Sequence, residues 1–147
     1  MKERLTLTIG VFVASLILLS GCAGDLTGEP TVTFTRDACI YSGASTIDVD
    51  TELTIEVINE SERSFGFSVW KVPDGTTVED IQAQGMLTVG GDKSDNMRGS
   101  LRPGSVASRE LVVLFDESGT WAMDCFTLLP GTIQTDEGYA AAVVEVR

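Results

Sequence analysis

Histidine is absent from this chain of 147 residues. The serine and cysteine nucleophiles of common hydrolases need an imidazole base, so this absence excludes the Ser-His-Asp and Cys-His classes of enzyme. Lysine does not replace it, because neither Lys71 nor Lys93 lies in a Ser-x-x-Lys pattern. The sequence therefore predicts no catalytic residues, and we expect that the protein is not an enzyme.

Basic side chains are scarce as well. The chain carries 10 Lys and Arg against 22 Asp and Glu, which gives a formal net charge of -12 at pH 7. Nucleic acids are bound largely through Lys and Arg that neutralise phosphates, and anionic lipid surfaces attract clusters of the same residues. The composition therefore argues against nucleic acid as a partner. A strongly acidic surface also keeps an exported domain soluble, whatever its task.

The chain has a single long apolar run, at its start. Lys2 and Arg4 precede an almost wholly apolar stretch, residues 5–20, which leads into Leu19-Ser20-Gly21-Cys22. A positive start followed by an apolar run is typical of an export signal. Small residues in this order before a cysteine are typical of a bacterial lipoprotein. A membrane-spanning helix needs about 20 apolar residues, and this run is shorter.

Cys22 is the predicted lipid attachment site. We expect residues 1–21 to be removed as a signal peptide and Cys22 to carry lipid such as palmitate, which makes the membrane a partner of the chain. Residues 22–31 are rich in glycine and polar side chains, so they predict a flexible tether. The predicted location is the cell envelope, outside the cytoplasm and anchored to a membrane.

Two further cysteines, Cys39 and Cys125, remain once Cys22 is assigned to lipid. An even pair in an oxidising compartment predicts a disulfide. The closure of so long a loop contributes roughly 4 to 5 kcal/mol in the loop-entropy model. Two free buried thiols are the alternative interpretation.

The remaining chain, residues 32–147, reads as a single all-β domain. Apolar residues recur at every second position in most segments, as in strands with one dry face. Residues 76–84 predict one short helix, since Thr76 and Glu79 have capping-box spacing. Residues 86–89 predict a short strand. About seven strands separated by turns favour a Greek-key β-sandwich.

Two strands deserve separate predictions. The run from Leu111 to Phe115 has no polar interruption, so we expect a central strand that is buried on both faces. In the next segment Trp121, Met123 and Cys125 share one parity, which predicts that Cys125 points inward.

Trp70 is the candidate residue for contact with a partner. It has the parity opposite to Phe65, Phe67 and Val69, so it is predicted to lie on an outer face. Exposed aromatic side chains dominate the energetics of many interfaces.

The end of the chain resembles the cupredoxins. The segment from Gly119 to Cys125, followed by a loop and the strand at residues 142–146, is similar to the C-terminal hairpin of that family. The turn after Asn59 resembles the segment that bears an earlier ligand, and Pro103-Gly104 resembles a turn that precedes the penultimate strands. The resemblance implies a cupredoxin-like fold over residues 31–147.

The copper ligands of that family are not matched. Phe65 stands about where the first histidine is expected, and no methionine follows Cys125. A blue-copper centre needs two imidazoles with one thiolate. The resemblance therefore implies a cupredoxin-like lipoprotein without a bound metal or other cofactor.

Two functions follow from these features. The first is a lipid-anchored binding or scaffold module of the cell envelope, with an unknown protein or small molecule as its ligand. The alternative is a protein that binds copper or calcium. Copper would use methionines and calcium would use side-chain oxygens; the candidates are Met86, Met97 and Met123 for copper and Asp92, Ser94, Asp95 and Asn96 for calcium.

Overall fold

Most strands form where apolar and polar residues alternate. The structure, a computed structural model, describes residues 29–91, 93–128 and 135–147. The predicted signal peptide, the lipid site Cys22 and most of the tether lie outside these residues. The strands are β1 (Thr31–Phe34), β2 (Cys39–Ser42), β3 (Thr46–Ile47), β4 (Thr51–Asn59), β5 (Phe65–Lys71), β6 (Met97–Gly104), β7 (Ser108–Phe115), β8 (Gly119–Leu128) and β9 (Thr135–Val146). Three helical segments are α1 (Val78–Gln84), α2 (Met86–Gly90) and α3 (Lys93–Asn96).

The strands form two sheets. One has four strands in the order β2-β1-β4-β7, and the other has five in the order β3-β9-β8-β5-β6. The β1–β4 and β3–β9 pairs are parallel, whereas the remaining pairs are antiparallel. Strand β4 lies beside β7 and β5 beside β8, which are the non-sequential neighbours of a Greek-key sandwich. The predicted fold class is confirmed.

The main core lies between the two sheets, where one face of each strand is buried. Its largest fully buried side chains are Trp121, Phe34, Phe65, Phe67, Phe115, Ile55 and Met123. Cys39 and Cys125 form a disulfide within this core, with their Cα atoms 5.8 Å apart and a separation of 86 positions in the sequence. The bond joins β2 of one sheet to β8 of the other. The predicted pairing and the inward direction of Cys125 are both confirmed.

The predicted helix exists, but its cap is one residue later than expected. Thr77, and not Thr76, precedes α1, and its side-chain oxygen accepts a hydrogen bond from the Asp80 backbone N–H. The Asp80 side chain accepts from the Thr77 backbone in return, which completes a capping box. The Thr77 hydroxyl also donates to Asp80 Oδ2 at 2.8 Å, and this bond, with a smaller effect of the Thr77 backbone N–H, holds the pKa of Asp80 below its usual value. Gly85 ends the helix with φ 81°, a conformation that favours glycine.

The strand predicted at residues 86–89 is wrong, because this segment is the helix α2. Met86 and Gly90 are buried, Val89 is partly buried, and Leu87 is 50% exposed. Buried positions at i, i+3 and i+4 have helical spacing. Four residues were too few to distinguish this period from that of a strand.

The prediction of a central strand at Leu111–Phe115 is also wrong. Strand β7 is at the edge of the four-stranded sheet, and Val112 and Leu114 on its outer face are 55% and 49% exposed. Only the inner face, with Val113 and Phe115, is buried. An unbroken apolar run thus occurs on a strand with one dry face.

Among the described residues, no helix is long and apolar enough to span a membrane.

Candidate functional site

Helices α1 and α2 cover the outer face of the five-stranded sheet. Ile81 of α1 and Met86 of α2 are 3% and 6% exposed, because they pack on outward-facing side chains of β5, β8 and β9. The buried members of this second apolar cluster are Trp70, Val72, Ile81, Met86, Ala122 and Ala140. A sheet face that would otherwise meet solvent is therefore enclosed.

A cleft of about 480 Å³ remains between these helices and the sheet. Its floor is a row of side chains across four neighbouring strands. Ser68 is in register with Ser100 on one side and with Asp124 on the other, and Asp124 is in register with Ala140. The walls include Trp70, Met86, Met97 and Phe126. Clefts of this size with apolar walls and a few polar groups are typical of sites for small molecules.

Three polar groups in the floor form one chain of hydrogen bonds. Trp70 Nε1 donates to Ser68 Oγ at 2.6 Å, and Ser68 Oγ donates to Asp124 Oδ1. The direction is fixed because an indole N–H only donates, which leaves the serine proton for the carboxylate. All three residues are at most 6% exposed. Hydrogen bonds to a charged acceptor are among the stronger ones, so this chain stabilises a carboxylate that borders the cleft.

A second polar network fixes the hydroxyl of Tyr139, whose ring packs on Phe34 of the main core with the ring centres 5.6 Å apart. Tyr139 Oη donates to Glu137 Oε2 at 2.5 Å, and Arg63 Nη1 donates to the same oxygen at 2.9 Å. Both bonds lower the pKa of Glu137, and the bond from Tyr139 has the larger effect. The carboxylate in turn raises the pKa of Tyr139.

Phe65 occupies the position at which the resemblance places a copper-binding histidine. Its ring is fully buried and stacks on Phe34, with the ring centres 4.7 Å apart. The Arg109 guanidinium lies 5.5 Å from the centre of the Phe65 ring and donates to the Phe65 carbonyl oxygen at 3.0 Å. Aromatic stacking and a cation–π contact fill this position.

The residues around Phe65 and Cys125 do not fit a blue-copper centre. That centre needs two imidazoles and a thiolate, whereas the chain has no histidine and Cys125 is bonded to Cys39. Within the described ranges, no three His, Cys, Asp or Glu side chains are grouped in a way that could hold a metal ion.

Comparison with known proteins finds likeness at the level of structure. No family model matches the chain, and no curated protein matches its sequence. One similar structure is the dithionite-reduced auracyanin of Roseiflexus castenholzii, with 11% identity and a TM-score of 0.45 over 80% of this chain and 94% of that one. Another is auracyanin A, a "blue" copper protein of Chloroflexus aurantiacus, with 14% identity and a TM-score of 0.44 over 82% of this chain and 100% of that one. At these identities the likeness concerns the fold alone.

The prediction for Trp70 needs a correction. Trp70 has the predicted outward direction, but it is only 2% exposed because α2 lies over it. The outer face of a sheet is exposed only if no other element covers it. Trp70 is therefore not a surface contact for a protein partner, and it borders the cleft instead.

The other candidate ligands are separated by the fold. Met86 and Met97 both line the cleft, whereas Met123 is fully buried in the main core. Of the calcium candidates, Asp92 and the Ser94 side chain lie outside what the structure describes. Asn96 donates from Nδ2 to the Gly90 carbonyl oxygen at 2.7 Å.

Ser68 and Asp124 were not identified as site residues from the sequence. Their outward parity on strands was readable, and so was the amphipathic character of residues 77–84, which needs a surface to cover. The pairing of β5 with β8 decides that the two side chains meet. That pairing joins residues 56 positions apart in sequence, and no local pattern specifies it.

Proposed function

We propose that this protein is a lipid-anchored binding module of the cell envelope, and that its β-sandwich takes a small organic ligand into the cleft beneath α1 and α2. Cys22 supplies the anchor and the following residues supply the tether. No redox metal takes part in the proposed function.

One observation carries the proposal. The cleft has apolar walls, and its floor holds a carboxylate that is oriented by the chain of hydrogen bonds from Trp70 through Ser68 to Asp124. Apolar walls supply affinity when they lose water, and a few fixed polar groups orient a ligand. A scaffold that binds only through its outer surface would not need such a polar group beneath two helices.

The same residues favour binding over catalysis. Ser68 donates a hydrogen bond to Asp124. A carboxylate is a weak base compared with the imidazole that activates serine in hydrolases. The hydrogen bond therefore orients the serine and does not make it a nucleophile. We propose no enzymatic activity for this site.

The test uses the full-length protein, extracted from its own membranes in mild detergent. Native mass spectrometry should detect a small organic molecule in addition to the lipid-modified chain, and metal analysis of the same sample should find no stoichiometric copper. Replacement Ser100→Trp puts a large side chain on the cleft floor, so the added mass should disappear. A sample in which both proteins carry the same mass, or none, would contradict the proposal.

A second function is favoured by a separate observation. Met86 and Met97 both border the cleft, and thioethers are ligands that Cu(I) accepts. Titration of the full chain with Cu(I) under anaerobic conditions, followed by calorimetry, tests this alternative. Stoichiometric binding that is lost in the double replacement Met86→Leu and Met97→Leu would support copper binding in place of an organic ligand.

A further inference from the structure

The strands at the edges of the two sheets differ in how well they are protected from pairing with another chain. The edge strands are β2 and β7 in one sheet and β3 and β6 in the other. Strands β2 and β3 have only four and two residues. Strand β6 pairs with β5 through two shifts of register, and Arg109 donates to its Arg102 carbonyl oxygen. Short strands and bulges are common protections of a sheet edge.

Strand β7 has neither protection. It is eight residues long, Ser108–Phe115, and it pairs with β4 in one unbroken register. It contains no proline. In the part of the chain that the structure describes, β4 is the only strand that is hydrogen-bonded to it. A long, regular edge strand with exposed apolar side chains is a site at which another strand can add.

The backbone groups at the outer edge of β7 belong to every second residue. The Asn59 N–H donates to the Ala107 carbonyl oxygen, and hydrogen-bonded pairs alternate along an antiparallel ladder. The odd-numbered residues of β7 therefore bond to β4. The N–H and C=O groups of Glu110, Val112 and Leu114 point to the outer edge, where an added strand would meet them.

The side chains of these three residues are accessible as well, and the face on which they lie is acidic. Val112 and Leu114 are 55% and 49% exposed, and Glu110 is exposed beside them. On β4, Glu56 is directly opposite Glu110 and Glu52 is opposite Leu114. Like charges in opposite positions destabilise a sheet. Among the described residues of β4 and β7 with this outward parity, none is Lys or Arg.

We infer that β7 is the docking edge for an extended segment of a partner protein. The segment adds as an antiparallel strand, with a Lys or Arg side chain opposite Glu110 and apolar side chains opposite Val112 and Leu114. Main-chain hydrogen bonds supply affinity in this mode of binding, and the alternate side chains supply specificity. The acidic face selects a basic segment by charge complementarity.

A second copy of this chain is a poorer occupant of the edge. Its own β7 would bring the same glutamates to the interface, and each chain has a formal net charge of -12 at pH 7. The docking edge belongs to the four-stranded sheet, whereas the cleft lies on the five-stranded one. The inference is therefore independent of the proposed function.

The probe is the peptide acetyl-Thr-Val-Thr-Val-Thr-Lys-Thr-amide, titrated into the full-length protein in detergent and followed through the backbone N–H resonances in NMR. The resonances of Glu110, Val112 and Leu114 should shift, and their exchange with deuterated water should slow, because these N–H groups gain hydrogen bonds. The N–H groups of Leu111 and Val113, which bond to β4, are the internal reference. A matched peptide with Glu in place of Lys should bind about tenfold more weakly.

A charge reversal at one exposed residue tests the pairing without a change in the core. Glu110→Lys should reverse the preference, so that the Glu peptide binds more tightly than the Lys peptide. Glu79→Lys is the matched control, because it makes the same charge change at an exposed residue of α1, which packs on the other sheet. It should keep the preference of the original protein.

Four results would overturn the inference. The first is equal binding of the two peptides by the original protein, and the second is binding of neither. The third is a set of shifts that does not alternate along β7. The fourth is a shift of the same N–H resonances that depends on protein concentration without any peptide, which would assign the edge to a second copy of the chain.

Discussion

The variant Gly90→Ala tests how closely α2 packs on the indole of Trp70, which borders the cleft. A Cβ added at Gly90 would lie 2.7 Å from Cε3 of Trp70 and 3.2 Å from Cδ2 and Cζ3. Real Cβ atoms essentially never come within 3.0 Å of such atoms. In the variant Gly90→Ala, either α2 or the indole must therefore move.

The direction of the stability change follows from two opposed effects. Trp70 cannot yield easily, because it is 2% exposed and its Nε1 donates to Ser68 Oγ at 2.6 Å. Overpacking of this kind costs about 1–3 kcal/mol. Alanine is favoured over glycine within a helix by at most about 1 kcal/mol, and Gly90 is the last residue of α2. We expect Gly90→Ala to lower the free energy of unfolding by about 1–2 kcal/mol.

Urea unfolding measures this change, and NMR locates it. The indole N–H resonance of Trp70 should move in Gly90→Ala, while that of Trp121 should stay in place. Gly138→Ala is the matched control, because a Cβ there meets no atom within 4 Å. Its free energy of unfolding should stay within about 0.5 kcal/mol of the original. A Gly90→Ala protein as stable as the original, with an unchanged Trp70 resonance, would refute the contact between α2 and Trp70.

Three further predictions concern the anchor, the disulfide and an ion pair. Cys22→Ser should leave the protein without lipid, and continued incorporation of labelled palmitate would contradict that assignment. Replacement of Cys39 and Cys125 together by alanine should lower the free energy of unfolding by about 2–4 kcal/mol, and peptides joined through these residues should appear only in non-reduced digests. The pKa of Glu117 is lowered by its hydrogen bond to Lys71 and by the nearby charge of Arg98. Its contribution to stability is therefore present above the usual pKa of a glutamate, and it is lost as the pH falls through the lowered pKa. The difference in thermal midpoint between the original and Glu117→Gln should therefore shrink on acidification from pH 7 to pH 3; a constant difference would contradict this.

The local features of the domain were predictable because near neighbours in sequence specify them. Alternation along β4, β5 and β8 predicted which side chains face the core, and Cys125 points inward as expected. The helix at α1 was also predictable from its capping pattern, to within one residue. The lipoprotein signal before Cys22 is equally local, and it stays a prediction.

Features that depend on layers were not predictable in the same way. The apolar run at Leu111–Phe115 predicted a central strand, but β7 is at a sheet edge with Val112 and Leu114 exposed. A run of apolar residues does not show whether other strands or helices pack on one face of the strand or on both. For the same reason Trp70 was expected at an exposed surface and is buried beneath α2.

The amino-acid pattern alone was enough to show what this protein lacks and, along β4, β5 and β8, which side chains face the core. Without histidine, and with its two core cysteines available for a disulfide, it could not supply the donors of a blue-copper centre. Where the remaining polar groups meet depends on how the strands pair and how the helices pack on them. Ser68 and Asp124 come together because β5 pairs with β8, and they lie in the cleft beside α1 and α2. Strand pairing and layer packing join residues that are far apart in the chain, and no local pattern encodes such a contact.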